Sequence, residues 1–159
     1  MLTAKVPLAI SVSVMLLLAS CAPGPFIPVL EPIASEYDLI KTDLSSAQLD
    51  QLGNGDVLIY NNASSLLEMG NQDRFNIWIN GKALGQLRAN EYVIVNLEKG
   101  NHQLKVQRGD SLVALKSSHD FEVDSNTKVV GISPIFVTNR LIRKNELPTQ
   151  FEKFTYAKK

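Results

Sequence analysis

The sequence predicts a mainly β protein: an antiparallel β-sandwich or small open barrel, with a short helix near its N-terminus and another at its C-terminus. Three observations carry that expectation. Apolar and polar residues alternate in Arg74–Ile79 and again in His102–Gln107, the period of a half-buried strand. Turn-forming groups such as Asn80-Gly81, Gly100-Asn101 and Gly109-Asp110 punctuate the chain between such runs. Glu91–Leu97 is apolar on both of its faces, as a strand covered on both sides must be. Many short strands joined by Gly, Asn and Asp turns build sandwiches and barrels.

The elements before the β region read differently. Lys5 precedes an apolar run, Val6–Ala19, that ends in Leu18-Ala19-Ser20-Cys21. Positive charge, a short apolar stretch and small residues form a secretion signal, too short to remain as a membrane-spanning helix. Residues 1–20 are therefore expected to be a signal peptide and residues 21–35 a tether. Pro23, Pro25, Pro28 and Pro32 lack backbone donors and hold φ fixed, so this stretch is semi-rigid and spans roughly 40 Å at about 3.1 Å per residue. Residues 36–159 form the domain. Thr42 or Asp43 caps an expected helix over Leu44–Leu52, with Gly53 as its stop.

Strands follow at Val57–Tyr60 and Arg74–Ile79, with a long polar loop at 61–73 between them. Asn80-Gly81 predicts a tight hairpin, since both central residues of a type I′ turn need positive φ. The return strand is Ala83–Leu87, and Glu91–Leu97 follows. His102–Gln107, Leu112–Lys116, Phe121–Val123, Lys128–Ser133 and Ile135–Thr138 complete the β region. After Pro148, the spacing of Phe151, Phe154 and Ala157 predicts a helix that packs on the sheet.

Leu18-Ala19-Ser20-Cys21 resembles the bacterial lipobox, in which a lipid is added to the cysteine and the chain is then cut just before it. The resemblance implies an acylated Cys21, the lipid bilayer as a partner, and two or three acyl chains, more than the single chain that binds only marginally. Ala22-Pro23 in place of an Asp after the cysteine implies delivery to the outer membrane, facing the periplasm, if the cell has two membranes. Cys21 is the only cysteine, and acylation leaves no free thiol in an oxidising compartment.

A second resemblance rests on Gly55–Tyr60, on Ile77–Lys82 with Gly85-Gln86-Leu87, on Tyr92, and on Glu98–Leu104. Together these are similar to bacterial lipoproteins with an uncharacterised β-sandwich domain related to PEGA-type modules. The similarity covers roughly Gly55–Val106. It implies an antiparallel sandwich with a binding or structural role and supplies no catalytic residue. The chain departs from the pattern in its long 61–73 loop and in Glu98-Lys99, where a proline-containing turn is common.

Charge excludes some partners. The chain carries 16 basic and 16 acidic residues, and loss of Lys5 with the leader removes one base. A near-neutral surface has no field to gather nucleic acid, so none is expected as a partner. The side chains that could carry chemistry are few. His102 follows a turn and is expected to bond a loop carbonyl. Ser117-Ser118-His119-Asp120 spells a triad, but neighbours on a strand face opposite ways. Asp120, Glu122 and Asp124 alternate on one face, and calcium takes such oxygens, but an acidic strand face balanced by Lys116 or Lys128 explains them as well. Arg140, Arg143, Lys144 and Lys158-Lys159 form a modest basic cluster. No metal set, phosphate loop or cofactor motif stands out, so no cofactor is expected. The candidate binding surface is Trp78 with Asn76 and Asn80; covered by the C-terminal helix, Trp78 is plain core instead. An exposed apolar patch around Trp78 and the 61–73 loop suits an envelope protein partner, whereas an isolated aromatic ringed by Asn76, Asn80 and other amides suits a cell-wall or surface glycan. The reading is a membrane-anchored, non-catalytic interaction or structural module. Glycan binding is the alternative, and a hydrolase using His119 or His102 ranks third.

Overall fold

The computed structural model describes residues 30–41, 50–63, 74–108, 115–135 and 138–157. Leader, Cys21 and the first part of the tether lie outside these residues. Among the described residues nine strands form in order: β1 (Asp56–Asn61), β2 (Phe75–Ile79), β3 (Lys82–Leu87), β4 (Glu91–Asn96), β5 (Gly100–Arg108), β6 (Leu115–Val123), β7 (Val129–Ile135), β8 (Thr138–Lys144) and β9 (Thr155–Tyr156). They make two sheets, one ordered β8-β7-β1-β4-β9 and one ordered β3-β2-β5-β6. Val57, Ile59, Val93, Val95, Val130 and Ile132 from the first face Phe75, Ile77, Ile79, Leu104, Val106 and Phe121 from the second. The fold is a sandwich-like pair of sheets around one apolar core.

The four-stranded sheet is antiparallel throughout. Asn80 and Gly81, with φ of 52° and 82°, make the predicted hairpin, whose twist matches its flanking strands. Leu84 is an extra residue on β3 between the pairs Ile77↔Gly85 and Trp78↔Ala83. That bulge lets Leu84 and Leu87, three apart, both reach the core.

The five-stranded sheet corrects the antiparallel expectation. β1 pairs with β4 and β7 with β8 antiparallel, but β1 with β7 and β4 with β9 run parallel. The chain leaves this sheet after β1 and after β4, building two strands of the other sheet each time. It returns beyond β6 on the far side of β1, already running in the direction of β1.

β4 is buried on both faces, as its composition predicts. Val93 and Val95 join the inter-sheet core, while Tyr92 and Ile94 join Leu58, Tyr60 and Val129 on the outer face. What covers that outer face is not the predicted C-terminal helix. After Pro148, Gln150 adopts φ 62°, a single 3-10 turn spans Phe151–Lys153, and Phe154 is already extended. Thr155 and Ala157 then donate their N–H groups to the carbonyls of Asn90 and Tyr92, both at 2.9 Å. A helix of about ten residues is marginal alone, and here the edge of β4 offers a ladder instead. The aromatic packing survives the change: Phe151 lies 5.1 Å from Tyr92 and Phe154 lies 5.4 Å from Tyr60, centroid to centroid. Ala157 passes to the inter-sheet core.

The expected N-terminal helix falls mostly on residues 42–49, outside the described ones. Its described end, Asp50-Gln51, is 3-10 and carries Leu52 into the outer cluster, so the described residues give no α-helix there.

Leu30–Lys41 is a strap. Gln86 Nε2 and Asn76 Nδ2 donate to the carbonyls of Leu30 and Glu31, at 3.4 and 2.8 Å. Glu36 N–H donates to Ala83 O at 2.8 Å, and the Glu36 carboxylate accepts the Ala83 N–H. Further on, Leu39 bridges to Val95 and Ile40 N–H donates to Ile94 O at 2.9 Å. The strap thus hydrogen-bonds to an edge of each sheet on the same side of the sandwich. Residues 30–35, assigned from sequence to the tether, lie against β2 and β3.

Candidate functional site

The structure separates the three residues of the sequence-predicted surface. Asn76 is 3% exposed, its Oδ1 accepting from Gln86 Nε2 at 3.0 Å while its Nδ2 holds the strap. Asn80, at the hairpin tip, accepts the Gln103 N–H on Oδ1 at 2.9 Å and donates from Nδ2 to His102 Nδ1 at 2.9 Å. Trp78 is half-buried on the outer face of its sheet, opposite Ala83 and Lys105. The C-terminal segment packs on the other sheet and leaves that face to the strap. Both amides are therefore committed to scaffold bonds, and Trp78 stands among polar neighbours.

His102 does what its position predicts. Its Nε2–H donates to Glu98 O at 2.7 Å while Nδ1 accepts from Asn80. Both ring nitrogens serve the turns.

Chemistry converges instead on the seam where β6, the edge of one sheet, meets β8, the edge of the other. A cleft of about 590 Å³ opens there, lined by His119, Phe121, Ile135, Asn139, Leu141 and Arg143 among others. Two bonds pin the seam. Asn139 Nδ2 donates to Ser117 Oγ at 3.1 Å, and Arg143 Nη1 donates to Glu122 O at 3.0 Å. Ser117 Oγ also lies 3.1 Å from His119 Nε2. Ser117 Oγ thus stands between the Asn139 amide and the His119 ring. Adjacent residues of Ser117-Ser118-His119-Asp120 do face opposite ways on β6. Ser117 and His119, two apart, share a face and do meet; that signal was present in the alternation itself. Asp120 takes the opposite face and does not orient the ring.

Burial lowers the His119 pKa below the ordinary imidazole value, and the charge of Asp120 opposes the shift. A ring harder to protonate folded than unfolded makes the protein lose stability as pH falls below about 6.5, and keep it above. Urea midpoints measured from about pH 7 to pH 5 should fall further for the wild type than for His119→Gln. Equal slopes would contradict the buried ring.

Asn139 Oδ1 is buried and accepts no hydrogen bond. A buried carbonyl of this kind seeks a donor. The acidic trio does not act as one group: Asp120 and Glu122 are exposed on β6, whereas Asp124 accepts from Thr127 Oγ1 at 2.9 Å and from Asn126 N–H at 2.8 Å, which lowers its pKa. Among the described residues no three His, Cys, Asp or Glu side chains converge to hold a metal. Of the basic cluster, Arg140 and Arg143 line the cleft, and Lys158-Lys159 lie outside the described residues. Sequence reasoning missed β8 altogether, because TNRLIRK buries only Asn139 fully and shows weak alternation. No known protein family, characterised protein or solved structure matches this chain.

Proposed function

We propose that this chain is an envelope lipoprotein, acylated at Cys21 and held on the outer membrane facing the periplasm, whose sandwich is a non-catalytic protein-interaction module. Kinship with lipoproteins bearing PEGA-type domains is part of the same proposal. The observation that supports it best is the strap. The stretch continuous with the proline-rich tether is hydrogen-bonded to both sheets along one side. An anchor acting through the strap leaves the opposite side, with its seam and cleft, turned to the envelope space.

The glycan reading keeps one specific observation. Among the described residues Trp78 is the one aromatic side chain on the outer face of its sheet, with Asn101, Gln103, Lys105 and Gln107 on the neighbouring strand. A half-exposed indole among amides stacks on a sugar ring. Crosslinking in intact envelopes, run beside a pull-down on purified peptidoglycan, separates the two. The interaction reading expects protein crosslinks and no retention on peptidoglycan. Retention abolished by Trp78→Ala would reverse the order.

A further inference from the structure

The two sides of the sandwich are finished differently. On one side the strap and β9 hydrogen-bond to the edges of β3 and β4. On the other, β6 and β8 end their sheets, and no described strand pairs with their outer edges. β6 is nine residues long, and apart from the Glu122 carbonyl, which Arg143 holds and would release on pairing, its outer edge is of the kind that templates pairing with another chain.

The direction of its backbone groups can be read from two places. Gln103 and Asn80 exchange bonds, Asn80 N–H to Gln103 O and Gln103 N–H to Asn80 Oδ1, so Gln103 turns both its groups away from β6. Asp120, opposite Gln103, must turn its own away from β5. Independently, Arg143 reaches the Glu122 carbonyl from the β8 side. N–H and C=O of one residue point the same way and alternate along a strand. Lys116, Ser118, Asp120 and Glu122 therefore present theirs on the free edge, and their side chains share the outer face.

That edge complements itself. We infer that β6 pairs antiparallel with β6 of a second copy of this chain, about a two-fold axis at His119. In this register Lys116 faces Glu122 of the second copy, twice by symmetry, and Ser118 faces Asp120. His119 is the middle residue of Leu115–Val123, so the register uses the whole strand. Slipping two residues one way sets Asp120 against Asp120; slipping the other way leaves Glu122 with no facing residue in β6. Charges on an edge ordinarily repel a second strand, and here opposite charges at mirror positions recruit one. The interface is isologous, as a closed dimer requires. This deepens the interaction-module reading by naming the partner, and it rests on that reading only for the role it gives the dimer.

The test uses the full-length chain in intact envelopes, with thiol oxidation and non-reducing gels. His119 faces its own copy as a non-hydrogen-bonded pair, with Cα atoms about 4.5 Å apart, within disulfide reach. His119→Cys should give a disulfide dimer above the wild-type background, whose only cysteine is Cys21, and Ser118→Cys should not. In the His119→Cys chain, Lys116→Glu should slow dimer formation about tenfold, and adding Glu122→Lys should restore it. Crosslinking through Ser118→Cys instead, failure of the charge swap to restore it, or a crosslink to a different protein would overturn the inference. Membrane fractionation of the same samples reports the anchor separately, so the two failures can be told apart.

Discussion

Phe75→Ala is expected to lower the stability of the domain by about 3–5 kcal/mol. Phe75 is fully buried and is the largest side chain so buried among the described residues. It sits on β2 between Leu87 and Arg108 in register and packs across to the other sheet. Truncation removes its transfer free energy and leaves a cavity that two flanking sheets cannot collapse to fill. Against a typical stability of about 5–15 kcal/mol, that loss brings the domain near its unfolding threshold. Trp78 is the only tryptophan and lies on the same strand, so its fluorescence during urea unfolding reports the change. A loss under about 1 kcal/mol would be a surface value and would contradict the packing of β2.

Gly131→Ala is the second large effect, because no room exists for the added carbon. A Cβ at Gly131 would lie 2.6 Å from Cζ and Oη of Tyr60, its partner in the parallel β1/β7 pair. Tyr60 is 2% exposed, and its ring meets Phe154 edge to face. The ring must leave that contact or the strands must part, a loss of about 1–3 kcal/mol for one methyl, and Gly131→Val should cost more. Tyr60→Leu costs stability by itself but removes the obstructing ring. The double variant should therefore be more stable than the sum of the two single losses, by about 1 kcal/mol. Simple additivity would mean that the ring does not lie over Gly131.

Much of the architecture was legible where one residue type has one physical solution. Asn80-Gly81 needed positive φ at both positions and found it. The two apolar faces of Glu91–Asn96 required cover on both sides and have it. What was not legible depends on contacts distant in sequence. The spacing of Phe151 and Phe154 reports two aromatics directed to one surface, and a 3-10 turn followed by an extended residue meets that condition as well as a helix. The parallel pairing of β1 with β7 leaves no local trace, because it is fixed by the route through the other sheet. β8 lies at an edge where polar residues suffice, so its composition carries no strand signal. At the candidate site, the alternation rule that separates Ser118 from His119 is the rule that unites Ser117 with it. Only the fold then brings Asn139 to the same hydroxyl.

Anchoring depends on where the mature chain begins and what its first residue carries. Mass spectrometry of the N-terminal peptide from membrane fractions measures both. The expected result is a peptide starting at Cys21 with its mass raised by two or three acyl chains, and Cys21→Ala protein that is neither cut there nor held on the membrane. A wild-type peptide retaining residues 1–20, or an unmodified Cys21, would contradict it.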